Sequence, residues 1–275
     1  MSSAPAPAKV NLALVVGPLR DDGKHEVVTL MQRVDLHDLV TLEAGDALSV
    51  DGFPADTIVA AALESLARAA AVAPGWHVHI EKRIPVAAGL GGGSSDAATA
   101  LLLANQTLDD PLPHEDLVRV AAAVGADVPF FLTEGSQLAT GDGTELVRVD
   151  LPLGYAVLLL VPNDETKEST RWVYEAFDQR RGADGFAARA RALREALCGV
   201  VESRDLAALP RNDLASSALA DELLAAGAFR ADVTGAGPTI YGLFDDDAKA
   251  TRAAATLGVR GSTFVSRPVG ALGQP

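Results

Sequence analysis

Val, Leu and Thr dominate residues 8–16, 26–34 and 37–43, which are separated by GPLRDDGKH and a short polar step, a pattern of strands joined by turns. Residues 57–73 are strong helix formers that stop at Pro74-Gly75, which predicts a helix. In WHVHIEKRIP, Trp76, Val78 and Ile80 share one face of a strand that runs into a glycine-rich loop. Behind that loop, residues 96–107 are apolar on nearly every face, as in a buried helix. HEDLVRVAAAVG predicts an amphipathic helix ending at Gly125, and segments 136–140 and 145–150 around TGDGT predict a hairpin. YAVLLLV opens a second unit, with helices at 168–179, 184–202 and 214–226, strand FRADVT, loop GAGPT, strand IYGLF, helix 246–256 and a last strand near 263–266. Strands and helices do not alternate regularly, so the class is α+β, divided here into domains 1–151 and 152–275.

With 275 residues, 48% hydrophobic and 22% charged, the chain can build two cores and carries no repeat or low-complexity tract. Its ends, MSSAPAPA and GALGQP, are expected to be disordered. The longest uncharged stretch, 151–163, is too short for a membrane helix, so no membrane partner is expected. VNLALVVGPL has only Lys9 before it and RDDGKHE after it, which suits a strand better than a signal peptide. A lone cysteine, Cys198, excludes an intramolecular disulfide, and five scattered histidines form no dense metal-ligand cluster; a reducing, cytoplasmic setting fits. The formal net charge of −14 argues against a nucleic-acid partner. An anionic substrate would need local cations, for which Lys9, Arg20, Lys24, Lys82 and Arg83 are the candidates.

The loop PVAAGLGGGSSD lacks the lysine of a P-loop. Gly89 and Gly91 fit the start of a dinucleotide fingerprint, but Ser94 stands at its third glycine, and neither Ser94 nor Ser95 has the flanking glycines of a nucleophile elbow. What remains is a backbone free to adopt positive φ, emptying into a helix N-terminus that favours an anion such as phosphate. The alternative is a turn that merely packs a strand against a helix.

PVAAGLGGGSSDAA resembles the P-x-x-x-G-L-G-S-S-A-A loop of the GHMP small-molecule kinases. PAKVNLAL, GPLRDDGKHEVVTLMQ, GADVPFFL, NDETKESTRWVYEAFD, RNDL and VTGAGPTIYGLF are similar to further motifs of that family, in order, from about residue 5 to 268. Together they look like the branch acting on a cytidylyl alcohol. The resemblance implies an α+β, two-domain GHMP kinase fold: an N-terminal α/β ATP-binding domain, a C-terminal ferredoxin-like domain, and ATP and a small-molecule substrate in the cleft between them. It also implies Mg²⁺ and transfer of the ATP γ-phosphoryl group to the 2-hydroxyl of 4-diphosphocytidyl-2-C-methyl-D-erythritol, in non-mevalonate isoprenoid biosynthesis. A sugar, homoserine or mevalonate-like acceptor, or a silent nucleotide-binding protein, are the alternatives.

By the same matching, Asp127 would accept the hydroxyl proton while Lys9 stabilises Asp127 and the incoming phosphate. Singly, each is also an ordinary turn carboxylate or strand-edge lysine. Pro85, Val86, Ala87, Ala88, Gly89, Leu90, Gly91, Gly92, Gly93, Ser94 and Ser95 would hold the triphosphate, with Ser94 or Ser95 offering a hydroxyl to phosphate or Mg²⁺. Asp96 would either point away or reach the metal. Lys82 and Asn105 match nucleotide contacts, and Thr234, Gly235 and Gly237 a loop that closes on the phosphates. His25 would read the cytosine edge and Tyr174 would stack on the base or belong to the core, while Asn11 and Thr170 would touch substrate or make local hydrogen bonds. Trp172 and Cys198 are expected to be packing residues. Two positions depart from the family pattern: Lys24 replaces an aromatic that would form the other half of the cytosine sandwich, and Thr57 replaces an asparagine near the nucleotide. Lys24 would either forgo stacking or bring an ammonium to the substrate diphosphate.

Overall fold

The computed structural model describes residues 1–53, 58–163 and 170–270. The first two strands, β1 (Ser2–Leu19) and β2 (His25–Ala44), are long, antiparallel partners, so the two strands expected at 26–34 and 37–43 are one. The polar step between them is a bulge, not a turn: Pro7 faces His37 but Ala8 faces Val34. The N-terminal residues expected to be disordered lie in β1, which among the described residues pairs only with β2, so Pro5 and Pro7 sit on an edge that tolerates their missing N–H. The last residues of the C-terminal stretch, 271–275, lie outside the described residues.

Around β2 gather β3 (Ser49–Asp51), β4 (Trp76–Glu81), β5 (Ser136–Thr140) and β6 (Glu145–Val149), in the order β3-β4-β2-β5-β6. A late strand, β11 (Pro268–Val269), returns to pair with β2. Helices α1 (Ile58–Ala69), α2 (Gly92–Asn105), α3 (His114–Val124) and the five-residue α4 (Val128–Leu132) pack with this sheet. As its composition predicts, α2 is buried almost all round; its alanines let the helix lie close to α1 and β1. It begins at Gly92 and not at 96, because Gly91 at φ 72° turns the chain directly into the helix.

The second sheet has the order β10 (Gly261–Ser266), β7 (Ala156–Pro162), β9 (Ile240–Phe244), β8 (Arg230–Val233), all neighbours antiparallel. Between β7 and β8 run α5 (Thr170–Gln179), α6 (Phe186–Cys198), a 3-10 helix (Ser203–Ala208) and α7 (Ala218–Ala225); α8 (Asp247–Leu257) joins β9 to β10. This is the βαββαβ order of a ferredoxin-like unit. The expected helices at 184–202 and 214–226 are shorter than their sequence patterns, and residues 164–169, where another was expected to begin, lie outside the described residues. No helix among the described residues is long and apolar enough to cross a membrane.

Strand periodicity joins the sheets. Ala8, Val10 and Leu12 face a core shared with Val157, Leu159 and Leu243 of the second sheet, which leaves Lys9 and Asn11 for the opposite face. A bulge between Asn11 and Ala13 releases the Leu12 carbonyl from the ladder, and Arg230 Nη2 (2.7 Å) and Tyr241 Oη (2.8 Å) donate to it from across the interface. Leu101, fully buried on α2, tests the packing. Leu101→Ala should lower stability by about 2–5 kcal/mol in urea unfolding.

Candidate active site

Residues 82–91 link β4 to α2, and Gly89 and Gly91 of this link lie between two cavities. The larger, about 860 Å³, and the smaller, about 310 Å³, share Gly89, Gly91 and Ser94. Two of the glycines are required by what presses on them. A Cβ on Gly89 (φ 80°) would lie 2.8 Å from the Gly237 carbonyl oxygen, and one on Gly91 would lie 3.0 Å from both Lys9 Cγ and Phe131 Cζ. The glycine loop therefore touches the late GAGPT loop on one side and β1 and α4 on the other. The first N–H groups of α2, which no helical carbonyl can accept, open at this loop. Ser94 lines both cavities, whereas the Ser95 hydroxyl is fully buried with no hydrogen-bond partner among the described residues; of the two serines, Ser94 is the one presented to a ligand.

Lys9 occupies the junction. Its N–H donates to Leu90 O (2.9 Å), and its ammonium, almost wholly buried, lies 3.3 Å from Asp127 Oδ2 and donates to Asn11 Oδ1 (2.6 Å). The Asn11 amide donates in turn to Thr29 Oγ1 (2.9 Å), and its backbone N–H to Thr234 Oγ1 (2.9 Å) of the late loop. Asn11 lines the larger cavity, but its side chain is already committed to orienting Lys9. Asp127 occupies the N-cap position of α4 without using its carboxylate as a cap. It keeps that carboxylate facing the cavity beside a fixed ammonium, an arrangement able to take a proton from a bound hydroxyl.

The larger cavity is also lined by His25 and Tyr174, whose rings lie 4.8 Å apart with a 30° tilt, and Asp178 Oδ1 is 2.9 Å from His25 Nε2. Burial pushes the Tyr174 phenol up to about 12, with the Asp127 charge adding to it. Lys24 donates to Asp142 Oδ2 (2.6 Å), and that contact, helped by Thr144, holds Asp142 down at about 2. Thr170 also lines this cavity.

The family model described as GHMP kinases N terminal domain matches residues 57–135, and that described as GHMP kinases C terminal matches 190–260. The 4-diphosphocytidyl-2-C-methyl-D-erythritol kinase of Geobacter sulfurreducens is 38% identical over 271 residues, covering 93% of this chain and 94% of that one. The chain belongs to the GHMP kinases. A crystal structure of 4-(cytidine 5'-diphospho)-2C-methyl-D-erythritol kinase superposes with a TM-score of 0.80 at 29% identity, covering 98% of this chain and 100% of that one. One of mevalonate kinase, at 14% identity and a TM-score of 0.76 over 98% and 99%, shares the fold. The two-domain GHMP kinase fold expected from the motifs is thus the observed one, and a kinase of this family uses ATP.

In this GHMP kinase, Lys82 reaches the smaller cavity from beneath α2. Its ammonium donates to Asp38 Oδ2 (2.5 Å) and Asp96 Oδ2 (2.8 Å), and the other Asp38 oxygen accepts the N–H groups of Arg83 (2.5 Å) and Ile84 (2.8 Å). Asp96 therefore points away from the phosphate-facing wall; burial raises it to about 7 despite Lys82. Asp38, Asp142 and Asp178 were not singled out from sequence: each is a carboxylate in a polar stretch, and only the fold brings it to its cation or imidazole.

Several expectations need correction. Asn105 lines neither cavity; it lies at the far end of α2, about 20 Å from the loop, where its amide donates to Leu112 O (3.0 Å) and accepts from Leu112 N (2.9 Å). Arg20 and Arg83 engage surface carboxylates at Asp22, Glu26 and Glu81 and line neither cavity. Trp172 is 53% exposed and Cys198 is exposed, so neither is buried in a core. Thr57 lies outside the described residues.

The buried carboxyl of Asp96 yields a pH test. An unfolded aspartate loses its proton near pH 4 while the folded one holds it to about 7. Its contribution to stability is therefore present below about pH 4 and is lost as pH rises through 7. In urea unfolding, Asp96→Asn should gain on the wild type between pH 5 and pH 8, by on the order of 2 kcal/mol.

Proposed function

We propose that this GHMP kinase transfers the ATP γ-phosphoryl group to the 2-hydroxyl of 4-diphosphocytidyl-2-C-methyl-D-erythritol, as a step of non-mevalonate isoprenoid biosynthesis. The observation that carries the reading is the Lys9–Asp127 pair, which lines the larger cavity beside the glycine loop, with His25 and Tyr174 lining the same cavity. The 38% identical relative, matched over nearly its whole length, bears that activity in its name.

ATP lies in the smaller cavity with its triphosphate along Pro85–Gly93, and Lys82 supplies a fixed positive charge. Thr234, Gly235 and Gly237 close on the phosphates, Gly235 lying beside Lys9. The cytosine stacks on Tyr174 with His25 at its edge, oriented by Asp178, and Thr170 borders the substrate. Asp127 takes the proton as the hydroxyl oxygen bonds to the γ-phosphorus. The bond to the bridging oxygen breaks and ADP leaves; Lys9 balances the charge gathering on the transferred group. Mg²⁺ binds mainly through phosphate oxygens and water, so it needs few protein ligands, and Ser94, facing both cavities, fits that role. When bound, the ion would offset negative charge on the phosphates. The domain boundary near 151/152 and a cytoplasmic setting belong to the same reading.

The Lys24–Asp142 pair, where the family pattern has an aromatic, favours one other reading, a kinase for a different alcohol. Purified protein with Mg-ATP should release ADP when given the cytidylyl substrate; turnover only with another alcohol in a panel would select the second reading. Asp127→Asn should lower kcat about 10²–10⁴-fold with nucleotide affinity little changed. Since Lys24 is held by Asp142, Lys24→Tyr should lower KM for the cytidylyl substrate by up to about tenfold by restoring a stack; a higher KM would instead assign the ammonium to the substrate diphosphate.

A further inference from the structure

We propose that Arg33 is a positioning residue for phosphoryl transfer: by gripping the C-terminal end of α4, it fixes where the Asp127 carboxylate stands relative to Lys9. The inference rests on the assignment of Asp127 as proton acceptor.

Lys9 and Arg33 are direct cross-strand partners in the β1–β2 ladder, so their side chains leave the sheet on the same face. Two adjacent cations, both almost completely buried, repel each other unless each meets negative charge, and α4 supplies it at both ends. Asp127, at the helix start, faces Lys9. At the helix end, the Arg33 guanidinium donates to the carbonyls of Phe130, Thr133 (2.5 Å) and Gly135 (2.8 Å) and lies 4.3 Å from the Phe130 ring centroid. Burial lowers Arg33 to about 10, which leaves it charged at neutral pH.

A five-residue helix has almost no intrinsic stability, and the Phe130 carbonyl at its end accepts from Thr133 as well as from Arg33. Its buried residues Val128–Leu132 seat it in the core, and the grips at its two ends fix how it is oriented there. Between those ends, Phe131 abuts Gly91 of the glycine loop, so a shift of α4 moves the base and presses on the phosphate wall together. A displacement of about 1 Å at such a site can lower the rate 10²-fold. Neither cavity is lined by Arg33, so it acts through α4 and not on substrate.

Arg33→Gln, Arg33→Lys and Asp127→Asn would be assayed with Mg-ATP and the cytidylyl substrate, with folding checked by circular dichroism. Arg33→Gln should lose at least about tenfold in kcat, with both KM values within about twofold of wild type. Arg33→Lys, which keeps the charge but reaches fewer carbonyls, should recover part of the loss; if Arg33→Gln does not fold, Arg33→Lys decides by its kcat alone. Wild-type kcat in a folded Arg33 variant, or KM rising in step with the loss of kcat, overturns the proposal. An inactive Asp127→Asn beside unaffected Arg33 variants overturns it alone. An active Asp127→Asn overturns the Asp127 assignment and the inference with it.

Discussion

The buried ammonium of Lys9 must be paired, because an uncompensated charge at that depth would oppose folding by several kcal/mol. Asp127 from the start of α4 supplies the negative charge, and Asn11, the next position on the same strand face, supplies an amide oxygen that accepts a hydrogen bond. Asn11 is itself held by Thr29 across the ladder and by Thr234 from the late loop. The lysine stem lies against Gly91, and its backbone N–H bonds to Leu90. Satisfying one cation thus brings together β1, α4, the glycine loop and the late loop, which are the four pieces that surround the junction of the cavities.

The electrostatic puzzle of an acidic kinase that handles polyphosphates has a local answer. The glycine loop holds no cation, and positive charge arrives on two lysines from outside it. Each comes with acidic partners, Lys9 with Asp127 and Lys82 with Asp38 and Asp96, so neither depends on the overall field. These carboxylates hold the ammonium groups in fixed directions, so the positions of the cations are set before any nucleotide binds. Surface arginines, by contrast, are engaged with exposed carboxylates, where such pairs add little.

Much of this was legible in the chain. The glycine loop and the buried Ala/Leu helix behind it each form a local pattern, and Lys9, Asp127, His25 and Tyr174 could be named because each sits in a stretch that resembles a motif of the family. What escaped depends on contacts between distant segments. MSSAPAPA has the composition of a loose end and becomes a strand because β2 is long enough to pair with it. Nothing local separates Ser94 from Ser95, since burial decides between them. Asn105 matched by position, yet the length of α2 carries it away from the loop to the Leu112 backbone. Asp38 lies in a polar stretch of β2 and acquires its meaning only when the chain following β4 folds over it.

The central claim, that Lys9 joins the proton acceptor to the phosphates, is tested most directly by a crystal structure with a non-hydrolysable ATP analogue and the cytidylyl substrate. The account predicts that Lys9 Nζ lies at hydrogen-bonding distance, about 3 Å, from both a γ-phosphate oxygen and Asp127, with the acceptor hydroxyl beside that carboxylate. A γ-phosphate lying out of reach of Lys9, or an acceptor hydroxyl remote from Asp127, would contradict it.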